Sequence, residues 1–174
     1  MPEAVSTGIG LFLAWLFAVA AVHKLRSPAY YEGLVSVYIP ARTASRVMVL
    51  LVGLAELLVV VSLLVPALRT AGFLGAAAVL TGYAVMMAWQ YGRGRSDLQC
   101  GCAGPDSALT VGPALIVRNL GCAGFALLAM VSSVSLPASL GSAALALVIG
   151  VFLITVYLCS DQIIANAQAM AGEV

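Results

Sequence analysis

The chain has 174 residues, of which 63% are hydrophobic and only 9% charged, and its mean hydropathy is +1.09. Soluble domains carry roughly 25% charged residues, so a water-soluble fold of this size could not cover its surface. The net charge of +1 leaves no basic footprint for nucleic acid, and lipid is the expected solvent for most side chains.

A helix needs about 20 apolar residues to cross a bilayer. Five stretches answer to that length, roughly 5–22, 44–64, 68–91, 111–131 and 136–159. Backbone polar groups cannot stay unpaired in lipid, so each stretch is expected to be helical. The expected fold is all-α: one integral membrane helical bundle of about five transmembrane helices, forming a single transmembrane domain over 1–174, plus one short interfacial amphipathic helix. The segment before the first span carries Glu3 and no Lys or Arg, which speaks against a cleaved signal peptide and for a retained first span.

The interfacial helix is expected over 28–39. Ser27 suits an N-cap, Pro28 the first helical position and Glu32 the first turn. Tyr30, Leu34, Val37 and Tyr38 recur at helical spacing before Pro40 ends the run. Tyr30, Tyr31 and Tyr38 are apt at headgroup level. A tight turn is expected around Pro66, a long polar loop over 92–110 and a short loop over 132–137.

Short turns make neighbouring helices antiparallel. The first and third loops and the end of the fifth span then share one rim, which carries Lys24, Cys100, Cys102 and Cys159. That rim also bears Arg26, Arg42, Arg46, Arg93 and Arg95, against Arg69 on the other side. The positive-inside rule assigns it to the cytoplasm.

Cys100-Gly101-Cys102 is the sharpest chemical feature. Two thiols one residue apart can close a small, strained and therefore easily reduced disulfide ring, and Gly101 permits the dihedrals it needs. The pair suits thiol–disulfide exchange; a metal half-site and two idle loop thiols are the alternatives. Arg118 and Cys122, four apart, share a helix face, where the guanidinium would favour a reactive thiolate; plain packing is the other reading of Cys122. Cys122 and Cys159 are candidate relay thiols. Glu56 lies deep in the second span and must find Arg118, His23 or Lys24, or hold a proton. The result is either a structural ion pair or a proton or ligand site. Lys24 could also snorkel to the headgroups, and a lone His23 is a weak metal ligand. Gly53, Gly72, Gly75, Gly121, Gly124 and Gly150 are expected to allow close helix approach.

These residues together resemble the MauE/DoxX-like family of redox-associated membrane proteins. The resemblance runs from about Phe17 to Met130. It rests on the Ala21-Val22-His23-Lys24-Leu25-Arg26-Ser27-Pro28 segment, Glu56, the Cys100-Gly101-Cys102-Ala103-Gly104 loop and Arg118-Asn119. Gln99 and Ala103 stand where the family tends to have an aspartate and an aromatic residue. The resemblance implies a bacterial plasma membrane protein supporting disulfide formation or thiol redox of exported proteins, beside a thioredoxin-like partner. Cys100 and Cys102 would exchange disulfides, with Glu56, Arg118, Asn119, Lys24 and His23 supporting them. No cofactor or metal is required; a quinone is a candidate electron acceptor. Two other functions fit the same thiols: a soft-metal-ion transporter or binder, and a non-catalytic membrane subunit that anchors a redox partner.

Overall fold

The computed structural model describes residues 2–36, 42–95, 98–99, 104, 109–131 and 139–172, and the described residues are almost all helical. The helices are α1 (Pro2–Arg26), α2 (Pro28–Ser36), α3 (Arg42–Leu64), α4 (Arg69–Gly92), α5 (Pro113–Val131) and α6 (Leu140–Gly172). A 3₁₀ turn over Pro66–Leu68 joins α3 to α4, with proline at its start where a missing N–H costs nothing. All but α2 are long and apolar enough to cross a membrane. The protein is an all-α, multi-pass membrane bundle.

α1 is the axis of the bundle. It packs on α3, α5 and α6, while α4 packs on α5 and α3. Phe12, Leu13, Phe17, Ala20 and Ala21 of α1 are buried together, as expected of a helix that is apolar all round. The core they enter includes Leu63 of α3, Phe73 and Leu80 of α4, and Cys122 and Ala126 of α5. α6 stands outside this group, with Val148, Val151, Phe152 and Val156 facing outward, where lipid solvates them.

Apolar burial drives little association in lipid, so close backbone approach and polar ties matter more. A Cβ at Gly72 would lie 2.8 Å from the Leu63 backbone nitrogen, and one at Gly8 would lie 2.7 Å from Ile149 Cβ. Glycine is what lets α4 meet α3 and α1 meet α6. Gly150 completes the second seam, 3.3 Å from the Gly8 carbonyl by the same measure. Gly121 and Gly124 have open space beside them, so their expected packing role is not what the fold uses. Ser6 Oγ donates to the Ala129 carbonyl at 3.1 Å and ties α1 to α5.

Three expectations are corrected. The fifth span does not end at Cys159: α6 continues to Gly172, because residues 160–171 contain neither Gly nor Pro and are rich in Ala and Gln, good helix formers. Arg69 is only 3% exposed and lies over the Phe73 ring, 6.0 Å from its centroid. The basic group expected on the opposite rim is therefore turned inward. Tyr31 of α2, expected to face the headgroups, is buried against the protein; Tyr38 lies outside the described residues.

Candidate functional site

The last turn of α1 carries His23, Lys24 and Arg26, a placement that suits the negative end of a helix. Lys24 turns inward. Its Nζ donates to Glu56 Oε1 at 2.8 Å, with the Glu56 side chain fully buried and that of Lys24 only 9% exposed. Tyr83 of α4 donates its hydroxyl to the same oxygen at 2.5 Å. The rings of Tyr31 and Tyr83 flank the ammonium at 5.2 and 5.6 Å, within cation–π range. One carboxylate and two aromatic faces thus replace the water around Lys24, and α2 closes over the pair through Tyr31.

Gly53 of α3 faces the lysine stem: a Cβ there would lie 4.0 Å from Lys24 Cβ, an ordinary packing distance. Lys24, two residues before the end of α1, is level with a residue eleven positions into α3, so the first turns of α3 stand beyond α1 and alongside α2. Helical rise from the start of α3 therefore overstates how far Glu56 lies beneath the rim of α1.

Glu56 Oε2 has no hydrogen-bond partner among the described residues. Glu56 lines a cavity with Leu16, Phe17, Ala20, Leu80, Tyr83, Asn119 and Tyr157. The centre of a water molecule can move through about 20 Å³ of it, which is room for roughly one water. Asn119, the polar group contributed by α5, is 5% exposed and donates from Nδ2 to the Leu115 carbonyl at 2.9 Å.

Above this interior pair, the long third loop returns to the bundle. Its arms pair briefly: Gln99 and Thr110 form an antiparallel bridge, and the Val111 amide donates to the Leu98 carbonyl at 2.8 Å. Tyr30 of α2 donates its hydroxyl to Gln99 Oε1. Gly104 is buried with φ +93°, and a Cβ there would lie 2.8 Å from His23 Nδ1. The backbone passes so close to His23, in a left-handed conformation, that glycine is required on both counts. Cys100 and Cys102 lie outside the described residues, and so does the support that Arg118 or Lys24 was expected to lend them. The loop's fixed points, Gln99 and Gly104, bracket them in sequence and rest on α2 and α1.

Among the described residues, the partner of Arg118 is Asp161 and not Glu56. Its Nη1 donates to Asp161 Oδ1 of α6, and its guanidinium lies 4.5 Å from the Tyr157 ring centroid. Sequence reasoning missed this pairing because Asp161 fell beyond the expected end of the last span. Tyr157 also packs on Phe12 and Trp15 of α1, at centroid distances of 5.9 and 6.2 Å. Cys122 is a free thiol buried in the core, whereas Cys159 is free and exposed on α6. The structure thus joins Lys24 to Glu56 and His23 to the loop, sets Asn119 in the wall of the Glu56 cavity, and assigns Arg118 to α6. Tyr83, Tyr157 and Asp161 are the participants the sequence did not single out, and Tyr31 was singled out only for the interface. Tyrosines in apolar helices read as packing, and their polar use depends on which way each helix faces.

These features define a multi-pass helical membrane protein with a buried Lys–Glu–Tyr cluster beneath a cysteine-bearing loop. The chain matches the family described as "Methylamine utilisation protein MauE" over residues 2–132, and it belongs to that family. It is 35% identical over 153 residues to the methylamine utilization protein MauE of Paracoccus denitrificans, covering 87% of this chain and 82% of the relative. It is also 35% identical over 160 residues to the protein of the same name from Methylophilus methylotrophus, covering 88% and 83%. No solved structure matches the chain.

Proposed function

We propose that this protein is the membrane component of a thiol–disulfide system serving methylamine utilisation, the process in the names of both relatives. Cys100 and Cys102 cycle between dithiol and disulfide by exchange with a thioredoxin-like partner. A thiolate of one protein attacks a sulfur of the other's disulfide and forms a mixed disulfide. The second thiol of the attacking pair then displaces the partner, so one pair is oxidised by two electrons as the other is reduced. The acceptor or donor is the partner's own pair, and a quinone is not required.

The observation that carries this reading is the fastening of the loop on both sides of the cysteines. Gln99 is held by Tyr30, and Gly104 sits against His23. Only four residues separate these two points, which limits how far the thiols can stray from the rim and from each other. The interior Lys24–Glu56 pair holds α1 and α3 rigidly beneath that rim, as a thiol site on a loop needs. The protein lies in a bacterial plasma membrane with the thiol rim on the cytoplasmic side, by the bias of basic residues.

The test is a glutathione redox series on the full chain in lipid nanodiscs, quenched by alkylation and read by mass spectrometry of the peptide bearing both cysteines. The expected result is a reversible two-electron transition between a doubly alkylated and an unalkylated peptide. Cys102→Ser should trap a mixed disulfide with a thioredoxin-like protein. Peptides that stay doubly alkylated across the series would overturn the proposal.

A further inference from the structure

α6 has 33 residues, hence a length of about 50 Å at 1.5 Å per residue. The hydrocarbon core of a bilayer is only about 30 Å thick. Roughly three turns of α6 are therefore available beyond the membrane for another task, and the structure shows what they touch. Asp161, Ile164, Ala165 and Gln168 recur at spacings of three, one and three, so they form a single helix face. Every one of them meets α5 or the return arm of the third loop. Asp161 accepts from Arg118. Ile164 and Ala165 pack on the buried cluster of Met87, Leu109, Val111 and Leu115. Gln168 accepts from the Thr110 amide at 3.1 Å and donates to the Thr110 carbonyl at 2.9 Å.

The Gln168 contact is a two-point clamp. Its side-chain amide takes both backbone groups of one residue, as a neighbouring β-strand would. Thr110 is also the residue bridged to Gln99, so the clamp on the return arm acts directly on the arm that leads into Cys100. On the other side of Gln99, Tyr30 of α2 supplies the second hold. The polar holds on the two arms are made by the long Gln168 and Tyr30 side chains, while the main packing of α6 is on α1. The clamp on Thr110 therefore depends on the Gln168 side chain.

We propose that this face of α6 anchors the cysteine loop, and that Gln168 is a positioning residue for the Cys100–Cys102 pair. The functional half of this proposal rests on the thiol–disulfide reading above; the anchoring half rests on the Thr110 and Arg118 contacts alone. Gln168 acts on the thiols through Thr110 and Gln99, not by touching them. Losing the clamp frees the return arm at Thr110 and, through the bridge, loosens Gln99 next to Cys100. Reactivity toward small reagents then rises, while ring closure becomes less favourable.

The experiment compares wild type, Gln168→Leu and Gln168→Glu in nanodiscs, with Asn166→Ala at an exposed position of the same segment as the control. Gln168→Glu keeps the acceptor for the Thr110 amide and loses only the donor, so it serves if the leucine variant folds poorly. Two quantities are read. One is hydrogen exchange at the Thr110 amide; the other is the rate of alkylation at Cys100 and Cys102 in fully reduced protein, assigned by peptide mass spectrometry. Loss of both hydrogen bonds should speed Thr110 exchange by about tenfold. Alkylation should rise severalfold and the pair should become easier to reduce, with Gln168→Glu intermediate and Asn166→Ala unchanged. Alkylation rates equal to wild type in both Gln168 variants would overturn the positioning role, even if Thr110 exchange accelerates. If the wild-type pair never forms a disulfide, the oxidoreductase reading fails on its own, while Thr110 exchange and alkylation still decide whether α6 anchors the loop.

Discussion

Removing Lys24 should damage this protein more than removing Glu56, and removing both should damage it least. At 2.8 Å the direct attraction amounts to roughly 6 kcal/mol at an effective dielectric of about 20. Desolvating both ions costs several kcal/mol each, so the net worth of the pair is small while each half depends heavily on the other. Lys24→Met leaves a carboxylate on a short stem inside the bundle, with Tyr83 as its remaining donor; the expected cost is about 3–5 kcal/mol. Glu56→Gln leaves an ammonium two residues from the end of α1, on a stem long enough to reach water, and should cost about 1–3 kcal/mol. The double variant Lys24→Met, Glu56→Leu removes both charges in favour of apolar groups and should lie within about 1 kcal/mol of wild type. Equilibrium unfolding in mixed micelles, followed by helical circular dichroism, gives all three differences. A coupling energy below about 0.5 kcal/mol would mean the two sites are independent, and the interior pair would lose its place in the site.

Other perturbations follow from the same contacts. Asp161→Asn removes the charge opposite Arg118 and should destabilise the protein by about 3 kcal/mol; a loss under 1 kcal/mol by the same unfolding assay would mean that Arg118 reaches water. Gly72→Ala forces a methyl against the Leu63 backbone and should cost about 1–3 kcal/mol. Gly121→Ala, with open space, should be neutral or stabilising by up to about 1 kcal/mol; equal effects at the two positions would contradict the seam. A membrane-impermeant maleimide should label Cys100 and Cys102 in inverted vesicles and not in intact spheroplasts. The opposite pattern would place the thiol rim outside.

The five spans were legible because lipid imposes a length and an apolar composition that sequence displays directly. The end of α6 was not, since apolarity marks where a helix crosses hydrocarbon and says nothing of where it stops in water. Glu56 was recognisable as a group needing a partner, and Lys24 stood among the three candidates. Choosing among them required the azimuth of each helix, which a nearly all-apolar stretch does not encode. Arg118 illustrates the same gap: it was named as a candidate partner for Glu56, but its actual partner Asp161 lay on a helix outside the region of resemblance. The glycine pattern was half informative. Gly72 and Gly150 do lie at close seams, yet Gly8 does too and was not singled out, because its partners Ala146 and Ile149 come from the far end of the chain.

That last pairing bears on how the protein is made. α1 leaves the ribosome well before α6, and their Gly8–Gly150 seam can close only after everything between them has been synthesised and inserted. Until then the outer flank of α1 waits in lipid. Thr110 likewise gains its Gln168 clamp only once α6 has emerged, so until then the loop relies on its holds from α1 and α2 alone. Translation order thereby delays the final setting of the thiol loop until the bundle beneath it is complete.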